Sequence, residues 1–222
     1  MSHVRCCRLS CFNLKLAEVE CEKLTYLPGF LILQMSCIFI GILNVNNNSI
    51  TGTMPDTFDE SNLIEEFEVA YNQISGILPE SLGNAKFLKD FHVSGNQITG
   101  EIPVSYYGLK NLEELYLDDN MIAGTLPQTY EPFYDGLQEL SIHTNKGIKG
   151  RFPAENFNNT LRVKVLALHN TELTGEITED ICRRLDPDLS YTRLITLTAD
   201  CDKLMCSCCT CYRDGKIVST YP

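Results

Sequence analysis

The sequence contains no tryptophan and only four histidines, His3, His92, His143 and His169. Cysteine is missing from the 144 residues between Cys37 and Cys182. Basic residues are scarce over 40–181, where eight Lys and Arg face 21 Asp and Glu, a charge of −13 in a chain of net charge −11. A surface that acidic repels phosphate backbones, so nucleic acid is excluded as a partner. There is no H-E-x-x-H, G-x-S-x-G, P-loop, G-x-G-x-x-G, H-R-D or D-F-G motif. The side-chain sets of the common hydrolytic, nucleotide-binding and phosphoryl-transfer sites are therefore lacking, and neither catalysis nor a cofactor is expected. The length of 222 residues excludes a large multidomain enzyme, while 44% hydrophobic residues suffice for a core.

What is present is periodic. Asn48, Asn72, Asn96, Asn120 and Asn145 anchor the runs NSITGTMP, NQISGILP, NQITGEIP, NMIAGTLP and NKGIKGRFP, and Thr171 anchors TELTGEIT. The spacings are 24, 24, 24, 25 and 26. Eight, five and three residues before the anchors stand apolar triplets: Ile40, Leu43, Val45; Ile64, Phe67, Val69; Leu88, Phe91, Val93; Leu112, Leu115, Leu117; Leu137, Leu140, Ile142; Val163, Leu166, Leu168. A weaker seventh turn has Ile195, Leu197 and Asp200 at the same offsets.

Each element has a physical reason. Apolar residues two apart project to one side of a short extended segment, and the residue between them projects to the other. An anchor amide satisfies backbone groups that the following turn leaves unpaired. Glycine four residues on, or five at Gly150, permits the bend, and proline three further on fixes the outer backbone. Parallel strands linked by full helices need about 10–15 periodic residues per connection, and these repeats leave room for only a turn or two. The expected fold is an α/β solenoid, the leucine-rich-repeat right-handed superhelix. It should have a parallel concave sheet, about six to seven coils, and a convex side of 3-10 turns, short helices and irregular chain.

The runs ITGTMP, ISGILP, ITGEIP, IAGTLP and IKGRFP resemble the plant-type subfamily of leucine-rich repeats, which includes the extracellular parts of receptor-like kinases and receptor-like proteins. The resemblance covers 40–181 and implies a recognition module rather than a catalyst. Thr178 stands where the sixth repeat should have proline. The tail DICRRL…LITLTADCDKLMCSCCTCYRDG resembles the cysteine-rich closing segment of secreted or membrane-tethered repeat proteins of diatom-like algae.

Three regions follow: an N-terminal segment 1–39, the repeats 40–181, and a last coil with a cysteine-rich cap, 182–222. Residues 27–45 carry no charge, but Ile40, Leu43 and Val45 belong to the first repeat, leaving 13 residues, too few to cross a bilayer. The first segment is thus a cap remnant or a targeting or anchoring element, and a membrane tether stays open. Adjacent Cys208 and Cys209 crowd the geometry of a zinc hook, so Cys182, Cys201, Cys206, Cys208, Cys209 and Cys211 are read as three disulfides of unspecified pairing, sealing the end of the core. No metal site is expected. Disulfides, with the sequons at Asn47 and Asn158, imply an extracellular or cell-surface location.

Ligands of a solenoid bind along its concave sheet. Between the strand hydrophobes lie Asn44, Glu68, His92, Tyr116, Ser141, Ala167 and Thr196, with Ile42, Glu66, Asp90, Glu114, Glu139 and Val165 one column before. One column after lie Asn46, Ala70, Ser94, Asp118, His143, His169 and Thr198. Glu66, Glu68, His92, Glu114, Tyr116, Asp118 and His143 are the candidate binding residues. An aromatic ringed by carboxylates suits a basic protein or peptide segment. The alternative is a structural cell-wall or surface-coat protein, or part of a receptor whose kinase lies outside this chain.

Overall fold

A computed structural model describes residues 25–27, 30–32, 41–129, 133–158, 162–185 and 194–220. Its frame is a nine-stranded sheet in which the first seven strands each come from one coil and the last two from a terminal hairpin. In order they are Ile42–Asn44, Glu66–Glu68, Asp90–His92, Glu114–Tyr116, Glu139–Ser141, Val165–Ala167, Thr196–Ala199, Thr210–Arg213 and Lys216–Ser219. All neighbours are parallel except the last pair, which is antiparallel. The register places Leu43, Phe67, Phe91, Leu115, Leu140, Leu166 and Leu197 side by side, and all seven are buried. That column and its partner, Val45 to Leu168, form the floor of one continuous core. Phe58, Phe67, Phe91 and Tyr106 cross it edge to face, with centroids 5.7–5.8 Å apart.

The anchors form a ladder. The Asn72 amide donates to Val45 and Val69 carbonyls at 3.0 and 2.9 Å while its oxygen accepts from the Ile50 backbone N–H at 3.0 Å. Asn96, Asn120 and Asn145 repeat this pattern one coil on each time. Thr171, with a shorter side chain, donates only to Leu168 within its own coil, at 2.8 Å. Asp200 takes over by accepting from the Thr171 N–H at 3.0 Å.

Asp200 also corrects the seventh register. Leu166 pairs with Leu197, so the strand core is Leu197 and Ala199, and Ile195 is 64% exposed. The anchor of this coil sits three residues after its central leucine instead of five, so counting back from it shifts the frame by two. Thr198, not Thr196, therefore continues the central concave column, beside Ala167.

The outer side is more ordered than a run of turns and short helices. After the anchors, Thr51–Thr53, Gln73–Ile77 and Gln97–Thr99 pair in parallel. Ala123–Gly124, Gly147–Arg151, Glu172–Glu176 and Leu204–Met205 form a second parallel set. Coils approach so closely there that a Cβ on Gly76 would lie 2.8 Å from the Thr53 methyl. Short 3-10 turns, Glu80–Asn84 and Val104–Gly108, and short helices, Phe133–Gly136, Ala154–Asn158 and Glu179–Arg183, complete the coils.

At the C-terminal end the cysteines pair as Cys182–Cys208, Cys201–Cys211 and Cys206–Cys209. Buried Arg184 donates to the carbonyls of Phe157 and Val163, tying this end to the preceding coil. At the other end, Thr25–Leu27 and Phe30–Ile32 form an antiparallel hairpin, and most of the uncharged 27–45 stretch, Ile40 included, lies outside the described residues. Among the described residues no helix is long and apolar enough to cross a membrane. Asn47 is exposed, whereas the Asn158 side chain and the rest of its sequon lie outside the described residues.

Candidate binding face

The pleat that buries Phe67, Phe91, Leu115 and Leu140 turns their neighbours to the concave face. Glu66, Asp90, Glu114 and Glu139 are Cα partners in consecutive strands, a column of four carboxylates at the sheet spacing of about 4.8 Å. Beside it run Asn44, Glu68, His92, Tyr116 and Ser141. Beyond the strands, Ser94, Asp118, His143 and His169 follow one another through backbone bonds between successive coils. Sequence counting therefore placed Glu66, Glu68, His92, Glu114 and Tyr116 together, with Asp118 and His143 one column over.

The side chains are organised among themselves. Glu68 accepts from the amides of Asn44 and, at 2.7 Å, Asn46. His92 stacks on Tyr116 with centroids 4.3 Å apart, and its Nε2 lies 3.0 Å from Glu114 Oε2. Tyr116 donates its hydroxyl to Glu139, a carboxylate that belongs to the face and was not among the expected site residues. Asp118 is buried, accepting from Ser94 Oγ at 2.8 Å, with His143 Nε2 at 3.6 Å. His143 stacks on His169 at 4.4 Å, and His169 on Tyr212 at 3.8 Å. Tyr212 comes from the segment after the cysteine cluster, where the repeat count offers no signal.

Burial and like charge set the protonation of the face. Burial, then Glu114, pushes the Asp90 carboxyl up to about 6. Burial and the neighbouring Glu139 and Glu68 raise Glu114. Burial also lowers His92, outweighing the carboxylates that favour its proton, so a neutral ring donating Nε2–H to Glu114 fits this contact. Burial, with the bond to Glu139 second, raises Tyr116 and keeps its proton on the hydroxyl. His169 falls to about 4 through burial and the adjacent His143.

Asp118, Asp119 and His143 bring one potential ligand atom each within 4.8 Å of one another. Asp118 is already engaged by Ser94, and the site expectation did not include a metal. A cleft of about 300 Å³ lies beside the last coil, lined among others by Lys146, Glu172, Asp200, Lys203 and Arg213. Four of its charges pair across it: Lys203 bonds Glu172 at 2.9 Å and Arg213 lies 3.9 Å from Asp202.

The Leucine Rich Repeat family profile matches residues 63–85 and 111–132. No curated protein sequence matches the chain. Among solved structures, the receptor PEPR1 bound to AtPEP1 is 25% identical, with a TM-score of 0.63 over 73% of this chain and 21% of its own. The Arabidopsis receptor kinase HAESA, with the peptide hormone IDA and the co-receptor SERK1, is 28% identical, with a TM-score of 0.56 over 78% of this chain and 26% of its own. The plant peptide hormone receptor RGFR1 with RGF2 shares the fold at 24% identity and a TM-score of 0.60, over 74% of this chain and 28% of its own. The chain thus spans roughly a fifth to a quarter of the length of these receptors.

Proposed function

We propose that this plant-type leucine-rich-repeat protein is a non-catalytic recognition module whose concave sheet binds a positively charged protein or peptide segment. The observation that carries the reading is the column Glu66, Asp90, Glu114 and Glu139, joined by Glu68 and Asp118, with no Lys or Arg among them on the face. Like charges held a strand spacing apart repel one another, and a cationic partner relieves that repulsion as well as adding contacts. A relative of the same fold solved with a peptide hormone supports a peptide ligand. Tyr116, locked between His92 and Glu139, supplies a rigid aromatic contact at low entropic cost.

The module works outside the cell or at its surface. Three disulfides support an oxidising compartment, and the solved relatives are receptors. Asn47, exposed at a left-handed turn, and Asn158, at the end of a short helix, are the proposed glycan acceptors. The 1–39, 40–181 and 182–222 divisions are the proposed segment, repeat array and cap.

Exposed charges act mainly on association, whereas a packed aromatic acts on lifetime. A screen of basic peptides and extracellular proteins by surface biosensor tests the reading. Glu68→Lys with Glu114→Lys is expected to slow association and flatten its salt dependence, and Tyr116→Ala to speed dissociation. A captured partner indifferent to both changes and to salt would show that the acidic face is only a solvated surface.

A further inference from the structure

The concave face changes character midway. In its two strand columns, from Glu66–Glu68 to Glu139–Ser141, it presents Glu66, Glu68, Asp90, Glu114 and Glu139. From Val165–Ala167 onward the corresponding positions are Val165, Ala167, Thr196 and Thr198, with no charge among them. Tyr212 continues this half, stacked on His169, and its antiparallel partner Ile217 lies on the same face beyond it, 57% exposed. His169 belongs here too, and with its proton affinity lowered to about 4 it is neutral at ordinary pH. At the rim of this half Ile195 is a further exposed apolar side chain, beside Lys164, whose ammonium reaches back to Gln138 at 2.7 Å. Arg213 and Lys216 pair with each other on the opposite side of the terminal hairpin and place no charge on the face.

An acidic half and a neutral half with exposed aliphatic groups and a half-buried tyrosine place different demands on one ligand. Clustered carboxylates are complemented by cations, and exposed apolar groups by apolar area removed from water. We infer that the partner is a two-part extended segment, lying across the strands with a basic stretch over Glu66–Glu139 and an apolar stretch over Val165–Ile217. This rests on the concave-binding reading above and gives its ligand a composition and an order. The geometry also sets a length. Four strands per half, at about 4.8 Å per strand, make the whole face about 34 Å wide, which an extended chain at about 3.3 Å per residue covers with about ten residues.

The test uses synthetic peptides of about ten residues on the full chain. Two are block peptides, Lys/Arg then Leu/Ile/Phe and the reverse order, since the face fixes the halves but not the direction of the backbone. A third alternates the same residues, and a fourth replaces the apolar block by serine. One block peptide is expected to bind at least about fivefold tighter than the alternating one. Ile217→Glu should remove that advantage without changing the basic-serine peptide, whereas Glu114→Lys should weaken both. Ile217 is exposed on an edge strand, and an unchanged thermal transition of the variant checks that it folds. Equal binding of block and alternating peptides, with Glu114→Lys still weakening both, overturns the two-part order and leaves the acidic-face reading standing. No binding by any peptide, or binding indifferent to Glu114→Lys, overturns both.

Discussion

Asn96 holds two coils at once. Its amide donates to the Val69 and Val93 carbonyls, and its oxygen accepts the Ile74 N–H, all in a buried site. Alanine there leaves several backbone groups without partners, and Asn96→Ala is expected to cost about 2–3 kcal/mol in urea unfolding. Among the described residues Asn48 donates only to Val45 and Asn46 of its own coil, and it is half-buried, so Asn48→Ala should cost clearly less. The ladder was legible because an amide every 24 residues follows three apolar positions at fixed offsets. The residue before each anchor was not. Asn47, Tyr71, Gly95, Asp119, Thr144 and Asn170 all adopt positive φ, yet they share a backbone conformation and no common chemistry.

Two side chains make opposite contributions to acid stability. The folded chain holds a proton on Asp90 more tightly than the unfolded chain, so Asp90 favours folding below 3.8, and that contribution is lost as pH rises through about 6. His169 is the reverse. Its folded value lies near 4 against 6.5, so it costs nothing above 6.5 and destabilises increasingly as pH falls toward 4. Asp90→Asn is therefore expected to raise stability at neutral pH but not below 3.8, and His169→Gln to flatten the acid-side loss. Urea midpoints across this range check both signs.

Among the elements, the closing segment depends on its cross-links. Cys182–Cys208 spans 26 positions and ties the last short helix to the region beyond the seventh strand, whereas Cys206–Cys209 spans three. If the bridges act by restricting the unfolded chain, the first contributes about 3.5 kcal/mol and the second about 1.6 kcal/mol. The serine double variants should lose stability in that order in urea. Both cysteines of a pair must be replaced, because Cys206 Sγ lies only 3.8 Å from Cys208 Sγ and a lone thiol there can exchange. The six cysteines announced disulfides, but adjacent Cys208 and Cys209 left the pairing undetermined. The outer strands were also hidden, since T-G-T and G-I-K-G-R share too little alternation to reveal strands that form only by pairing with the next coil. In the last coil the anchor offset changed, and Ile195 passed for core when it is surface.

At the scale of the molecule, a regular repeat turns sequence spacing into side-chain geometry. Glu66, Glu68, Glu114 and Tyr116 could be grouped by counting because each strand advances the chain by one repeat. Tyr212 and Ile217 join the same face through a terminal hairpin that obeys no repeat, and so were invisible to counting. The central claim is that position on the concave sheet, and not net negative charge, selects a cationic partner. A matched charge reversal tests it most directly. Glu68→Lys with Glu114→Lys alters the concave face, and Glu101→Lys with Glu176→Lys makes the same change of net charge on exposed outer residues. Association rates of a basic peptide with the two variants, measured over a salt series, should fall sharply for the concave pair and stay near the parent for the outer pair. Equal losses in both would contradict the account, reducing the attraction to the overall charge of the chain.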